Sequence, residues 1–132
     1  MSLLLLDTTF LIDAERSDSV LSELISDDDE VAIAAISVAE LRVGVALASS
    51  QHQAARRSFV DAIVESLPVI AYDADVAEAH ATLRVAVRHQ GRPRGAHDLM
   101  IAATARATRR TVVSSDPSAF VDLPGVAIRN HR

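Results

Sequence analysis

The chain alternates short apolar runs with longer stretches whose apolar residues return every three or four positions. Leu3–Leu6 is unbroken leucine. Val31–Ile36 is apolar throughout, and Leu67–Ala71 is apolar around Pro68. Thr111–Ser114 and Val126–Ile128 are two further short runs. Runs without polar alternation suit strands buried on both faces, as in a parallel sheet covered by helices. Between them the period becomes helical. Thr8 and Thr9 open a short helical turn carrying Phe10, Leu11 and Ile12. Ser17 caps a helix built on Val20, Leu21, Leu24 and Ile25. Helices then run from Ser37 to about Ala48 and from about Gln51 to Ser66, the latter turning Phe59 and Ile63 inward. Asp73 caps a long helix with Val76, His80, Leu83 and Val87 on one stripe. Ala96–Ala107 is apolar on most sides and should be a buried helix.

Asp27-Asp28-Asp29-Glu30 would oppose the dipole of the helix it follows, so it reads as a solvated loop. Gly91-Arg92-Pro93-Arg94-Gly95 is the clearest loop in the chain. Strand alternates with helix, which predicts right-handed crossovers and a three-layer α/β/α sandwich on a parallel sheet, with the last strand at an edge. Residues 1–132 read as one domain without repeat, linker or low-complexity tract.

In such a sheet every strand points the same way, and the edge beyond the C-terminal ends is where open α/β folds place their sites. Asp7 and Asp116 end the first and fourth runs, Glu40 follows the second through Ser37, and Asp98 sits near the start of the Ala96–Ala107 helix. Carboxylates gathered on one edge repel each other unless a cation lies among them, and oxygen ligands suit Mg²⁺ or Mn²⁺. Each acid also has a structural explanation. Ser37-Val38-Ala39-Glu40 has the form of a capping box. Asp116 before Pro117 has the form of an N-cap. Asp98 is favoured by the dipole of a first helical turn, and Asp7 could cap the turn at Thr8. Taken singly, Glu40 and Asp116 read better as caps. Taken together, only a common site explains why all four should meet.

Thr9, Ser114 and Ser115 are hydroxyls beside this edge, placed to hold a ligand water or cap amides; Ser115 is assigned to capping. His97 adjoins Asp98 and reads as a surface histidine, with substrate contact the alternative, and His80 reads as a core or boundary residue. Gly44 inside a helix costs about 1 kcal/mol against Ala, which suggests either close approach by another element or subunit or, equally, tolerated drift.

Composition narrows the chemistry. There is no Cys, which removes disulfides, thiolate zinc sites and cysteine nucleophiles. All 13 basic residues are Arg. Without Lys there is no P-loop, nor any phosphatase or phospho-receiver site that needs a Lys beside its Asp. No paired-histidine zinc motif, G-x-S-x-G elbow or glycine-rich dinucleotide fingerprint is present. The net charge of −5 argues against nucleic acid only as an average. Residues 1–40 carry ten acids and one Arg, whereas residues 41–132 carry eight acids and twelve Arg. The second part therefore has the charge for a basic surface, with Arg84, Arg88, Arg92 and Arg94 clustered along it. Leu3–Leu6 is too short to span a bilayer and lacks the flanks of a secretory signal, so the expectation is a soluble, cytoplasmic protein without a membrane role.

Four segments in order resemble the motifs of PIN-domain nucleases. They are Leu5-Leu6-Asp7-Thr8-Thr9-Phe10-Leu11-Ile12, Ile36-Ser37-Val38-Ala39-Glu40-Leu41-Arg42-Val43-Gly44, Asp98-Leu99-Met100-Ile101-Ala102-Ala103-Thr104-Ala105, and Ser114-Ser115-Asp116-Pro117-Ser118-Ala119-Phe120. The match spans essentially the whole chain, and the short length is most similar to the VapC toxins of bacterial toxin–antitoxin pairs. Two positions depart from the pattern. Ser114 stands where Thr is frequent, and Ala119 where an acid or His often precedes the Phe. Asp116 falls at a position where the family varies between Asp and Asn.

The resemblance implies a sheet ordered 3-2-1-4-5 and a Mg²⁺-dependent ribonuclease site at its C-terminal edge. It also implies a homodimer and a VapB-like antitoxin whose tail occupies the groove. On this reading Asp7 and Asp98 hold the main metal, Glu40 and Asp116 complete the shell, and Glu40 is the candidate general base. Thr9, Ser114, Arg92 and Arg94 are the candidate RNA contacts. A hydrolase of small phosphate esters, or a non-catalytic interaction module whose acids are caps, are the alternatives.

Overall fold

The computed structural model describes residues 2–16 and 27–130. Five parallel strands form one sheet in the order β3-β2-β1-β4-β5. They are β1 (Leu3–Leu6), β2 (Glu30–Ala34), β3 (Val69–Ile70), β4 (Thr111–Ser114) and β5 (Ile128–Asn130). The helices are α1 (Thr8–Arg16), α2 (Ala35–Leu47), α3 (Ser50–Ser66), α4 (Ala74–Gln90) and α5 (Ala96–Thr108), with a 3₁₀ turn at Pro117–Ala119. No helix among the described residues is long and apolar enough to cross a membrane.

The leucine run works because side chains alternate across a strand. Leu4 and Leu6 pack with Phe10, Leu11, Leu41, Val60 and Ile63 of α1–α3 on one face. Leu5 packs on the other face with Leu83, Leu99, Ala102 and Phe120. β2 and β4 divide likewise, Ile33 and Val113 to the first face, Ala32 and Val112 to the second. Each fully buried leucine stabilises by about 1.5–3 kcal/mol relative to exposure. The alternation also aims the next residue. Asp7 has the parity of Leu5, the face that carries α5 and Asp98, and its N–H extends the ladder to the carbonyl of Val113 at 2.9 Å.

Several boundaries differ from the sequence expectation. The turn at Thr8 is a full nine-residue helix, because Phe10, Leu11 and Ala14 form a continuous buried face. β2 ends at Ala34 and Ile36 already lies in α2, so the apolar run serves strand and helix in succession. β3 shortens to two residues at the sheet edge. β5 begins at Ile128, two residues late, while Val126 packs against the core before pairing starts. The Ser17 helix falls outside the described residues. Asp73 caps α4 as expected, accepting from the Val76 N–H at 2.9 Å. Gly91 closes that helix at φ 65, a left-handed conformation that glycine adopts without penalty. His80 lies at the boundary, its ring edge-on to Tyr72 and 2.8 Å from that hydroxyl.

Candidate active site

The carboxylates of Asp7, Glu40, Asp98 and Asp116 meet beyond the C-terminal ends of β1, β2 and β4. Burial first, then the charges of Asp7, Glu40 and Asp116 in that order, push the half-buried Asp98 carboxyl up to about 6; His97 acts in the opposite sense. Asp7 is almost wholly buried. Desolvation raises its pKa, opposed by hydrogen bonds from Thr9, Ser114 and the Thr8 backbone. Gly95, at the N-terminus of α5, leaves room for this cluster: a Cβ there would sit 3.0 Å from Asp98 Oδ2. An open hollow of about 290 Å³ lies at the site, lined by Glu40, Gly95, Ala96, His97 and Asp98.

Hydroxyls orient the acids. Thr9 Oγ1 and Ser114 Oγ both donate to Asp7 Oδ2, at 2.7 and 2.8 Å. Ser114 Oγ also accepts the Asp116 N–H at 2.9 Å, so one buried side chain ties the first motif to the fourth. The amide-capping role expected of Ser115 thus belongs to Ser114, while the Ser115 N–H is 3.3 Å from Thr9 Oγ1. Glu40 is held at both oxygens. Thr8 Oγ1 donates to Oε1 at 2.7 Å, and His97 Nδ1 lies 3.1 Å from Oε2.

Two cap assignments are corrected here. Ser37 is buried inside α2, whose N-cap is Ala34 with no side-chain cap bond, so no capping box forms and Glu40 is released for the site. Asp116 occupies the N-cap position of the 3₁₀ turn but makes no cap bond to it. Its Oδ1 instead accepts from Ser118 Oγ at 2.6 Å.

Thr8, Ser37 and His97 were not among the predicted site residues. Ser37 Oγ lies 3.1 Å from Thr8 Oγ1, so Thr8 of α1 bridges Ser37 and Glu40, both on α2. The position of Thr8 directly after a strand-terminal Asp was a usable signal. No feature of the sequence marks His97 as a partner of Glu40, 57 residues away. Replacing Thr8 by the isosteric Val is expected to slow any reaction that Glu40 serves about tenfold, the effect of losing one hydrogen bond to a charged group. Turnover kinetics test this, and an unchanged rate would exclude a role for Thr8.

Arg94 and Arg92, the expected RNA contacts, also bond within the chain. Arg94 donates to the carbonyls of Val121 (2.6 Å) and Arg92 (2.7 Å) and to Gln90 Oε1 (3.3 Å). Arg92 faces Asp122 at 3.5 Å and the Ser118 carbonyl at 3.4 Å. Both tie the Gly91–Gly95 loop to the segment after β4, which positions α5 and therefore Asp98.

The donor set is suited to Mg²⁺ or Mn²⁺. It is oxygen-rich, and burial together with the neighbouring carboxylates raises the Asp98 pKa, a situation that a bound cation would relieve. Among the described residues no three acidic or imidazole groups close around one point as a ready cage. Mg²⁺ does not require one, because it keeps several waters and takes one or two carboxylates directly. Asp7 and Asp98 are the candidates for direct contact, and Glu40 and Asp116 for contact through water.

The PIN-domain family profile matches residues 4–125. Ribonuclease VapC5 of Mycobacterium tuberculosis is 36% identical over 125 residues, covering 92% of this chain and 88% of its own. The chain belongs to the PIN-domain family, in its VapC branch. The folds agree. VapBC2 of Rickettsia felis, solved with a DNA fragment from its promoter, superposes with a TM-score of 0.87 at 26% identity, covering 97% of this chain and 98% of that one. FitAcB of Neisseria gonorrhoeae does so at 0.81 and 31% identity, covering 97% of each chain. The sheet order 3-2-1-4-5 is that of the PIN-like fold.

Proposed function

We propose that this PIN-domain protein is a divalent-metal-dependent endoribonuclease acting as the toxin of a toxin–antitoxin pair. One observation carries the chemistry: four acids, one from each of four motifs, are close enough for Asp98 to respond to each of the others. Caps on separate helices would have no reason to interact. A bound Mg²⁺ or Mn²⁺ would lower the pKa of a coordinated water and offset charge developing on the scissile phosphate. The residues supply the rest. Asp7, locked by Thr9 and Ser114, and Asp98 at the head of α5 fix the ion's position. Glu40, steered by Thr8 and His97, is placed to accept the proton of the attacking water. Water adds to phosphorus, the P–O bond to the leaving sugar oxygen breaks, and that oxygen takes up a proton.

The partners follow from the surface and from the relatives. An apolar hollow of about 110 Å³ opens beside Glu40, lined by Ile12, Leu41, Gly44 and Phe59 and rimmed by Arg56. Among the described residues nothing lies within 4 Å of a Cβ built on Gly44. The hollow suits an apolar side chain of a VapB-like antitoxin segment. On α2 Val43 (56% exposed) and Leu47 (81% exposed) continue the stripe of Ile36 and Ala39, an apolar face suited to a second copy of the chain.

Mapping RNA ends in bacteria expressing the parent or Asp7→Asn tests the function. New ends at discrete sites are expected with the parent alone, together with growth arrest relieved by the antitoxin encoded beside it. Identical RNA ends from folded parent and variant would sink the reading.

A further inference from the structure

We infer that Arg84 and Arg88, rather than the loop arginines, form the track that grips the RNA backbone on its way to the acidic site. The inference rests on the ribonuclease reading and says where its substrate lies. Most described arginines are engaged by the protein itself. Arg42 pairs with Asp61, Arg56 with Glu15 and Arg129 with Asp29. Arg106 and Arg110 donate to backbone carbonyls, as do Arg92 and Arg94. Arg84 and Arg88 are exposed and have no hydrogen-bond or ion-pair partner among the described residues.

They stand one turn apart on α4, about 6 Å along its axis, so their heads can engage neighbouring phosphates of one strand. Like charges at this spacing repel by a few tenths of a kcal/mol. The acids of the helix, Asp75 and Glu78, lie in its first two turns and offset nothing here. A polyanion laid across the pair would remove the repulsion.

The surface around the pair is shaped to receive one. A hollow of about 350 Å³ is lined by Ala81, Arg84, Val85 and Arg88. A second, of about 330 Å³, shares both arginines and adds Arg92, Pro93 and Leu99. Together they form one furrow. Leu99 follows Asp98 in α5, and the loop that walls the furrow ends at Gly95, which lines the acidic hollow. The furrow and the acidic hollow have separate linings and are linked along the chain by this loop and the first turn of α5, a short path for one strand. No aromatic ring lines it, so the contact is with sugar and phosphate rather than stacked bases, and it should be indifferent to sequence.

Binding of a fluorescein-labelled single-stranded RNA, titrated across salt concentrations in an Asp98→Asn background, tests this. In Arg84→Gln/Arg88→Gln the slope of log affinity against log salt should fall by about 1.4, two phosphate contacts' worth. Affinity at low salt should drop on the order of tenfold, alike for U-rich and A-rich strands. Arg84→Lys/Arg88→Lys should keep the slope, and Arg57→Gln, a charge removed elsewhere, should leave it unchanged. If the parent cleaves RNA yet the glutamine variant keeps the parental slope, the track is refuted and the ribonuclease reading stands. If the folded parent neither binds nor cleaves RNA, both fall. A glutamine variant that changes oligomeric state by light scattering would instead assign the surface to a protein partner and overturn the inference.

Discussion

Asp98→Asn is expected to cut metal-dependent RNA cleavage by about a hundredfold or more while leaving the fold intact, a barrier increase of about 2.7 kcal/mol or greater. Asn keeps the shape and the place in the first turn of α5, with Gly95 still making room. What is lost is a negative charge among four, and with it much of the attraction for the proposed ion. Asp7→Asn should act similarly. Its Oδ2 accepts two hydroxyls, which an amide oxygen can also accept, and the substitution relieves the desolvation of a buried carboxylate. Neither variant should melt earlier than the parent in the absence of metal. Single-turnover cleavage assays with circular dichroism melts on the same samples check both halves. Parental cleavage by well-folded Asp98→Asn would remove the site.

The second large effect is on stability, and its sign depends on pH and metal together. Asp98 takes up its proton near pH 6 when folded, against an ordinary value of 3.8. A carboxyl that protonates more readily in the folded state stabilises that state fully below the unfolded value, and the gain disappears as pH rises through about 6. Asp7 shifts in the same direction. Without metal, then, the parent should lose stability between pH 4 and 6 from these groups. At pH 8 Asp98→Asn should be the more stable protein, by about 1 kcal/mol once solvent screening of a half-exposed carboxyl is allowed for.

Saturating Mg²⁺ should reverse the order at pH 8. At about a hundredfold excess over its dissociation constant an ion stabilises by about 2.7 kcal/mol, enough to raise the melting temperature by several degrees. At pH 5 protons compete for the same carboxylates and the gain should shrink. Melting curves of parent and Asp98→Asn, in chelator and in Mg²⁺ at both pH values, decide the matter. An equal rise in parent and variant would place the ion elsewhere.

How legible the site was depended on the range of the interactions that build it. Strands and helices were readable because side-chain periodicity is local: the leucine run, the stripe on α4 and the largely apolar α5 each declare themselves within a few residues. Errors fell at element ends, where Val31–Ile36 was divided between β2 and α2 and pairing moved β5 by two residues. Ser37 and Glu40 satisfied the local pattern of a capping box, yet the helix began two residues before Ser37. The pattern was right about the residues and wrong about their partners.

The amino-acid order by itself determined the parallel sandwich, its strand-end acids and their PIN-like spacing, because those depend on neighbours and on the direction of strands. Tertiary structure alone decided that Ser114 would join Asp7 across 107 positions and that His97 would meet Glu40 across 57. It likewise determined that Arg92 and Arg94 would hold loops while Arg84 and Arg88 remained exposed. The physical reason is that a hydrogen bond or ion pair needs its atoms within a few ångströms, and only the packed chain sets which distant side chains come that near.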